Sequence, residues 1–399
     1  MFHSPPGASS SQSEQPVLLD LIDPLKGLAI AAIVLVHTFR GWFGWQGVHI
    51  FILLSGFLLS LSLERKRKAG LNSPSWWRWI FHRCSLLLPS YWLAVLMGAF
   101  LLAIFQMHSH LQSSISWNEY LTIWIPCAQN FDYRTMFADP NAALWYVPFA
   151  LSCYLVFPIL YRFVFVEKTY NSSWWLVVPL LSAALFEFAY RAIAIAYFDG
   201  KPVGFGQGFL WIPVSVASTD HLPAEFPFQL WAPFGFSPSR VGELMLGVVG
   251  ARLYLQSRSS MESFLFARFA PLTGFVLWLA GNYCVYLSLI GWVFADFLIA
   301  FGLLLFLPFL LRVVSLRSPL LLGILSNLGR LSLPLFLTHL LSGYTAAQLY
   351  RSVGSSSPAV AVSLVFLYPV LIVCFSLLVQ KIEHWRRFHS NFLFLNLQR

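Results

Sequence analysis

Charged residues are scarce in this chain. Asp, Glu, Lys and Arg together make up 10% of its 399 residues, whereas hydrophobic residues make up 58%. Soluble domains carry on average about 25% charged residues, because their surfaces must be solvated. The composition therefore argues against a soluble protein and favours a protein embedded in a membrane.

Cysteine is also scarce, and its spacing excludes the usual cysteine-based sites. None of the cysteines forms a C-x-x-C pair or another metal-ligand spacing, so we predict no disulfide and no zinc site. The sequence also lacks a glycine-rich phosphate loop, a G-x-S-x-G elbow, a histidine-rich tract and an internal repeat. The five cysteines are Cys84, Cys127, Cys153, Cys284 and Cys374.

The N-terminus has neither the basic start nor the small-residue cleavage site of a signal peptide. Residues 1–17 are rich in Ser, Pro and Gln, a composition typical of disorder. We expect a disordered cytoplasmic tail at 1–17, one transmembrane domain at 18–390 and a second cytoplasmic tail at 391–399.

Long apolar runs recur along the rest of the chain. Runs of about 18 residues or more can cross a bilayer as helices, because a helix satisfies its own backbone hydrogen bonds in lipid. The sequence therefore predicts an all-α, polytopic integral membrane protein with about ten transmembrane helices. The predicted spans are 21–39, 48–63, 84–105, 144–163, 174–197, 238–255, 269–289, 291–311, 328–348 and 359–380.

The net charge of +9 reflects membrane topology rather than nucleic-acid binding. Most Lys and Arg residues fall in alternate short loops between the apolar runs, with the densest cluster at 65–68. Cytoplasmic loops carry such an excess of positive charge. We therefore expect both termini in the cytoplasm, membrane lipid as the surroundings and no nucleic-acid partner.

Lys26 and His37 are ionisable residues inside the first apolar run. They are eleven positions apart, which places them on one helix face with a separation of about 16 Å. An intramembrane ionisable group is costly and indicates a functional site. The alternatives are that Lys26 extends to the inner interface and that His37 is bonded to a neighbouring helix.

Other spans also contain ionisable residues. Glu187 and Arg191 have the i, i+4 spacing of a helical ion pair, for which a structural role is the simpler interpretation. Asp296, Glu243 and His339 are isolated, and each must face the interior of the helix bundle or a cavity. The spacing of the histidines does not support a metal site, so we predict none.

Two long loops, 106–143 and 198–237, combine aromatic and polar side chains. Such loops could bind a sugar. Aromatic residues also concentrate at membrane interfaces without any ligand, and composition alone favours that explanation.

The intramembrane residues belong to an ordered series of motifs. The first is a basic residue followed eleven positions later by histidine, here Lys26 and His37. The second apolar run contains Ser55-Gly56-Phe57, and the third begins with Arg83 followed by a proline–tyrosine segment that ends at Tyr91.

The series continues through the C-terminal half. Trp145 opens a segment that ends in proline, Arg240 and Glu243 stand at the start of the sixth run, and Arg330 precedes His339 in the ninth. In order, spacing and number of spans, these motifs resemble the acyltransferase 3 family over most of 18–390. The resemblance implies a ten-span membrane enzyme that acylates hydroxyl groups of surface glycans and related acceptors.

Four positions depart from the pattern of that family. Lys26 stands where arginine is usual, and His49 where an acidic residue is common. Leu86 takes the place of a second arginine, and Ala150 the place of a glutamate.

The resemblance also implies a mechanism. Acyl-CoA would be the donor substrate, with no bound cofactor, and a carbohydrate or lipid-linked glycan would be the acceptor. His37 would act as general base or receive the acyl group itself, while Lys26 and Arg83 would offset the donor's phosphate charge. The expected location is a bacterial inner membrane. Further candidate site residues are His49, Ser55, Tyr91, Trp145, Arg240, Glu243, Arg330 and His339.

Two other functions are compatible with the same scaffold. One is a glycan or lipid transporter of the flippase type without acyl transfer. The other is a noncatalytic assembly partner in an envelope complex. A requirement for acyl-CoA distinguishes the enzyme from both.

Overall fold

The computed structural model describes residues 18–39, 43–70, 75–108, 141–165, 173–197, 235–287, 289–353 and 366–382. All regular secondary structure in these ranges is helical. The predicted tails at 1–17 and 391–399 lie outside the described residues, as does most of the two long loops.

Twelve α-helices occupy the described part of the chain, joined in places by short 3₁₀ turns. Each predicted apolar run overlaps one of them, and α7 and α10 are additional short helices. The helices are α1 (Ile22–Phe39), α2 (Gly47–Lys68), α3 (Trp76–His108), α4 (Tyr146–Phe165), α5 (Val177–Ala196), α6 (Val241–Gln256), α7 (Arg258–Phe266), α8 (Phe269–Leu287), α9 (Trp292–Arg317), α10 (Pro319–Arg330), α11 (Ser332–Val353) and α12 (Phe366–Ile382).

Five of the described helices are long and apolar enough to cross a membrane, namely α2, α3, α4, α5 and α9. Two bent pairs, α7 with α8 and α10 with α11, raise the number to seven if each pair forms one span. The fold is thus that of an all-α integral membrane protein, while the predicted ten spans are not established. One reason is length: α6 has 16 residues, about 24 Å of helix, against an apolar bilayer thickness of about 30 Å.

Helices α1 and α10 pack with their backbones in direct contact. A Cβ atom at Gly27 would lie 1.8 Å from the carbonyl oxygen of Leu325, and one at Gly329 would lie 1.9 Å from that of Asp23. Only glycine permits such an approach. This contact brings the end of α10, and with it Arg330, beside the start of α1.

Helices α2 and α6 approach each other in the same way. A Cβ atom at Gly56 would lie 2.3 Å from the carbonyl oxygen of Leu244, and one at Gly247 would lie 2.1 Å from that of Leu53. The glycine of the Ser-Gly-Phe motif therefore has a packing role. It fixes α2 against α6, so that neighbouring residues of α2 take defined positions in the bundle.

A sharp bend separates α10 from α11. The two helix axes differ by 80°, and the bend lies at Leu331, between Arg330 and the first residue of α11. Helix α11 then packs against α1 and α3. Arg330 and His339 are close in sequence, yet the bend assigns them to different parts of the bundle.

Candidate active site

A cavity of about 480 Å³ lies among α1, α2, α3 and the α10–α11 bend. Apolar side chains of α2, such as Leu54 and Leu58, form much of its wall. Its polar lining includes Lys26, Ser55, Arg83, Tyr154 and Arg330. The cavity is large enough for part of an extended ligand and is open at one side.

Three of the lining side chains are cations, and each comes from a different helix. Lys26 lies in the first turns of α1, Arg83 in α3 and Arg330 at the end of α10. No Asp or Glu is among the described residues of the lining. A cleft lined by one sign of charge concentrates counter-ions, so this cavity favours an anionic ligand.

A carboxylate outside the cavity lining partly neutralises two of these cations. The Nζ of Lys26 donates a hydrogen bond of 3.1 Å to Oδ1 of Asp23, and Nε of Arg330 lies 3.8 Å from Oδ2 of the same residue. Asp23 is part-exposed, with 39% of its side chain accessible. An anionic ligand in the cavity would therefore compete with Asp23 for Lys26 and Arg330.

Arg83 is held by aromatic packing. Its guanidinium carbon lies 5.4 Å from the centroid of the Trp79 ring, a cation–π contact. Trp79 in turn stacks on Phe157 of α4 at 5.2 Å between ring centroids. The Nε of Arg83 is buried without a hydrogen-bond partner among the described residues, so it retains an unused donor.

The other predicted residues near the cavity have structural contacts. Ser55 lines the cavity, but its hydroxyl donates to the carbonyl oxygen of Phe51 at 2.7 Å, which commits its proton to its own helix. Tyr91 is fully buried in an apolar cluster with residues of α4 and α11. Trp145 packs edge-on against Tyr146 and Phe149. Neither Tyr91 nor Trp145 lines the cavity.

His37 lies in the last turn of α1 and contacts His339 of α11. Their ring centroids are 5.2 Å apart, with an angle of 43° between the ring planes. His37 is exposed, whereas His339 is fully buried. Because Lys26 and His37 share one continuous helix, about 16 Å of helical rise separates His37 from Lys26 in the cavity lining.

The surroundings of His339 determine which of its ring nitrogens carries the proton. Nδ1 lies 2.9 Å from the carbonyl oxygen of Phe336 and 3.2 Å from that of Leu335. A carbonyl oxygen can only accept, so Nδ1 must donate. Nε2 is then the lone-pair nitrogen of a neutral ring, and it has no hydrogen-bond partner among the described residues.

His49, the other histidine of the opening motifs, belongs to a separate ionic cluster. Its Nδ1 lies 2.8 Å from Oε2 of Glu243, and its Nε2 lies 3.8 Å from Oδ1 of Asp296. The cluster joins α2, α5, α9 and the start of α6, and all its side chains are buried. Its members are His49, Glu187, Arg191, Arg240, Glu243 and Asp296.

Arginine–carboxylate pairs connect the ionic cluster. Arg240 Nη1 lies 2.8 Å from Oε1 of Glu243 and 2.9 Å from Oδ2 of Asp296. Arg191 also donates to Asp296, and Glu187 accepts a 2.8 Å hydrogen bond from the backbone N–H of Gly242. Three carboxylates therefore face two arginines in the ionic cluster, and His49 Nδ1 lies near both Glu243 and Arg240.

Sequence reasoning found these residues but not their grouping. Their spacing predicts Glu187 and Arg191 as a helical pair, whereas the sequence alone gives Glu243 and Asp296 no partner. Because charged residues inside membrane spans usually pair with one another, the positions of Glu243 and Asp296 do predict oppositely charged partners. Tyr154 of the cavity was missed, because a tyrosine is not distinctive in a chain that is 17% aromatic.

Comparison with known proteins yields one match. A family model described as an acyltransferase domain matches residues 19–379. The matched segment includes the three cations of the cavity, the histidine pair and the ionic cluster. No curated protein and no solved structure matches the chain.

Proposed function

The chain belongs to this acyltransferase family, whose model covers nearly its whole length, and we propose that it transfers an acyl group from acyl-CoA to a hydroxyl. The acceptor in this proposal is a carbohydrate or a lipid-linked glycan. The enzyme needs no bound cofactor, since acyl-CoA enters as a substrate.

One observation carries the choice of donor. Three cations from three helices line a cavity at one end of α1, and a histidine pair lies at the other end. Acyl-CoA has a matching arrangement of groups: its phosphates are at one end, its thioester is at the other, and an extended arm joins them. Its phosphates would bind Lys26, Arg83 and Arg330, and its thioester would lie near His37. Arginine and lysine are the usual ligands of phosphate groups.

The chemical step follows from the position of His37. A neutral ring nitrogen of His37 removes the proton from the acceptor hydroxyl as its oxygen attacks the thioester carbonyl carbon. The C–S bond breaks, and CoA leaves as a thiolate that takes up the proton from the imidazolium. A positioned base of this kind contributes about 10²–10⁴-fold to a rate. In the alternative order, His37 first accepts the acyl group and then passes it to the hydroxyl.

The charge distribution supports an orientation for this reaction. Arg65 and Lys66 line a second cavity of about 570 Å³, which shares Leu58 with the first cavity. Positive residues concentrate on the cytoplasmic side of membrane proteins. In the proposed orientation, the donor enters from the cytoplasm of a bacterium, both termini lie on that side, and His37 is nearer the opposite leaflet.

The test is acyl transfer by the purified protein in liposomes. Radiolabelled acetyl-CoA or succinyl-CoA is supplied with candidate glycans, and label on the glycan is counted. We expect transfer by the wild type and a loss of about 10²–10⁴-fold in kcat for His37→Ala. His82→Ala is the matched control, because His82 is an exposed histidine on α3 that does not line the cavity.

Two outcomes would contradict the proposal. Full transfer by His37→Ala would remove the assigned role of that residue. Movement of a glycan across the membrane without any acyl-CoA, together with no transfer, would support the transporter alternative.

A further inference from the structure

His339 is fully buried in the bundle and has no part in the reaction as described so far. Its Nδ1–H is bonded to backbone carbonyl oxygens of its own helix, and its Nε2 has no hydrogen-bond partner among the described residues. A buried nitrogen without a partner is costly, so its presence calls for a reason. Its ring contacts the apolar ring of Phe336 and the imidazole of His37, and of these two only His37 has an N–H group to donate.

The proposed role of His37 requires a defined tautomer, and His339 offers the hydrogen-bond acceptor that would fix it. A neutral imidazole has one N–H and one lone pair, and it is a base only at the nitrogen without the proton. Catalytic histidines are usually held in the correct tautomer by a hydrogen bond from the N–H to a neighbouring acceptor. The Nε2 lone pair of His339 is such an acceptor, fixed in place by the two backbone carbonyl groups.

We propose that His339 is a positioning residue that accepts the ring N–H of His37 and thereby directs the basic nitrogen of His37 toward the acceptor hydroxyl. This inference rests on the proposed function. The ring centroids are 5.2 Å apart, and formation of the N–H···N bond requires rotation of the His37 side chain, which is exposed. Hydrogen bonds of this type often tighten only when substrates bind.

The proton transfers balance in this arrangement. The hydroxyl proton moves to the free nitrogen of His37, whose other N–H remains bonded to His339. The resulting positive charge is stabilised by the lone pair of His339 until the proton passes to the departing thiolate. His339 itself neither gains nor loses a proton over the cycle, because its own N–H stays on the backbone carbonyl oxygens.

Two substitutions of His339 separate positioning from structural support. His339→Gln places an amide near the position of Nε2 and so keeps an acceptor for His37. His339→Asn places its amide near the position of Nδ1, so it keeps the backbone hydrogen bond but removes the acceptor. The two variants have similar chemistry, and thermal unfolding of each shows whether it folds.

We expect His339→Asn to lose at least about 10²-fold in kcat and His339→Gln to stay within about 10-fold of the wild type, with the donor KM unchanged in both. A purely structural role predicts the reverse order, because only Asn keeps the backbone bond. Equal or greater kcat for His339→Asn than for His339→Gln would overturn the inference.

A spectroscopic measurement decides the inference independently of transfer activity. The ring nitrogens of ¹⁵N-histidine-labelled protein in lipid bilayers are observed by solid-state NMR. We expect the proton of His339 on Nδ1, and ring shifts of His37 that change in His339→Asn but are retained in His339→Gln. A proton on Nε2 of His339, or unchanged His37 shifts in both variants, would overturn it. If these shifts are observed but no acyl-CoA supports transfer, the proposed function fails while the histidine contact stands.

Discussion

Two groups of ionisable side chains in this protein use charge in opposite ways. The ionic cluster contains both signs and is buried; Arg240 lies 2.8 Å from Glu243 and 2.9 Å from Asp296, and Arg191 also pairs with Asp296. The cationic cavity is open and has three cations in its lining, with Asp23 as a carboxylate outside it. Charges that are balanced inside the protein hold helices together, whereas charges that face an open space are available to a ligand.

The difference also separates stability from binding. Removing one partner from a buried ion pair leaves an uncompensated charge, which typically costs about 3–5 kcal/mol. Removing a cation from an open cavity should cost little stability, because solvent-accessible ion pairs contribute only about 0–1 kcal/mol. Substitutions in the ionic cluster should therefore change the free energy of unfolding, whereas substitutions in the cationic cavity should change the donor KM.

The largest effect is expected from Asp296→Asn in the ionic cluster. This change leaves Arg191 and Arg240 buried without one of their carboxylates, so the free energy of unfolding should fall by about 3–5 kcal/mol. Thermal or denaturant unfolding in detergent measures the effect. The control is Arg258→Gln, which removes an exposed pair with Glu262 and should change stability by less than about 1 kcal/mol.

An unchanged unfolding temperature for Asp296→Asn, combined with lost transfer, would contradict a purely structural role for the ionic cluster. The ionic cluster would then belong to the reaction rather than to the scaffold.

An intermediate effect is expected from Arg83→Gln in the cationic cavity. A hydrogen bond to a charged group is worth about 1.5–3 kcal/mol, so the donor KM should rise by about 10-fold or more while the unfolding temperature stays constant. Steady-state transfer with labelled acyl-CoA measures the donor KM, and thermal unfolding in detergent measures the unfolding temperature. Arg78→Gln is the matched control on the same helix, since Arg78 is exposed and does not line the cavity.

A donor without phosphates sharpens this test. An acyl-pantetheine should show the same KM with the wild type and with Arg83→Gln. A KM that rises equally for both donors would argue against phosphate binding by Arg83.

The smallest effect, and one of opposite sign, is expected from Asp23→Asn. Asp23 competes with the donor for Lys26 and Arg330, so its neutralisation should lower the donor KM, by about 2- to 5-fold for a part-exposed pair. Titration of acyl-CoA at low and high salt measures this change, which salt should diminish. Glu262→Gln is the control, and a raised KM for Asp23→Asn would show that Asp23 supports the donor site.

The all-α membrane fold could be predicted from the sequence, whereas the spatial arrangement of the candidate site residues could not. Apolar runs and scarce charge indicate membrane helices because lipid imposes that pattern directly. Helical periodicity also relates Lys26 to His37, since both lie on one helix. Periodicity within a helix does not reveal which helices face each other, so the approach of Arg330 to Lys26 and of His339 to His37 required the structure.

The same limit applies to residues whose predicted role the structure explains differently. His49 was grouped with the site by its motif, and its contacts with Glu243 and Asp296 place it in the ionic cluster. Tyr91 and Trp145 were candidate site residues that lie in apolar and aromatic packing. A residue at a motif position can serve packing or chemistry, and the motif alone does not distinguish the two roles.

The glycine contacts between α1 and α10 have a consequence for donor length. Gly27 and Gly329 allow the backbones of α1 and α10 to touch. A larger side chain at either position would force the two helices apart. Lys26 and Arg330 are thus fixed relative to each other, and α1 sets a constant rise to His37. If the donor binds as proposed, with its phosphates at these cations, the length of its arm would determine whether its acyl group reaches His37.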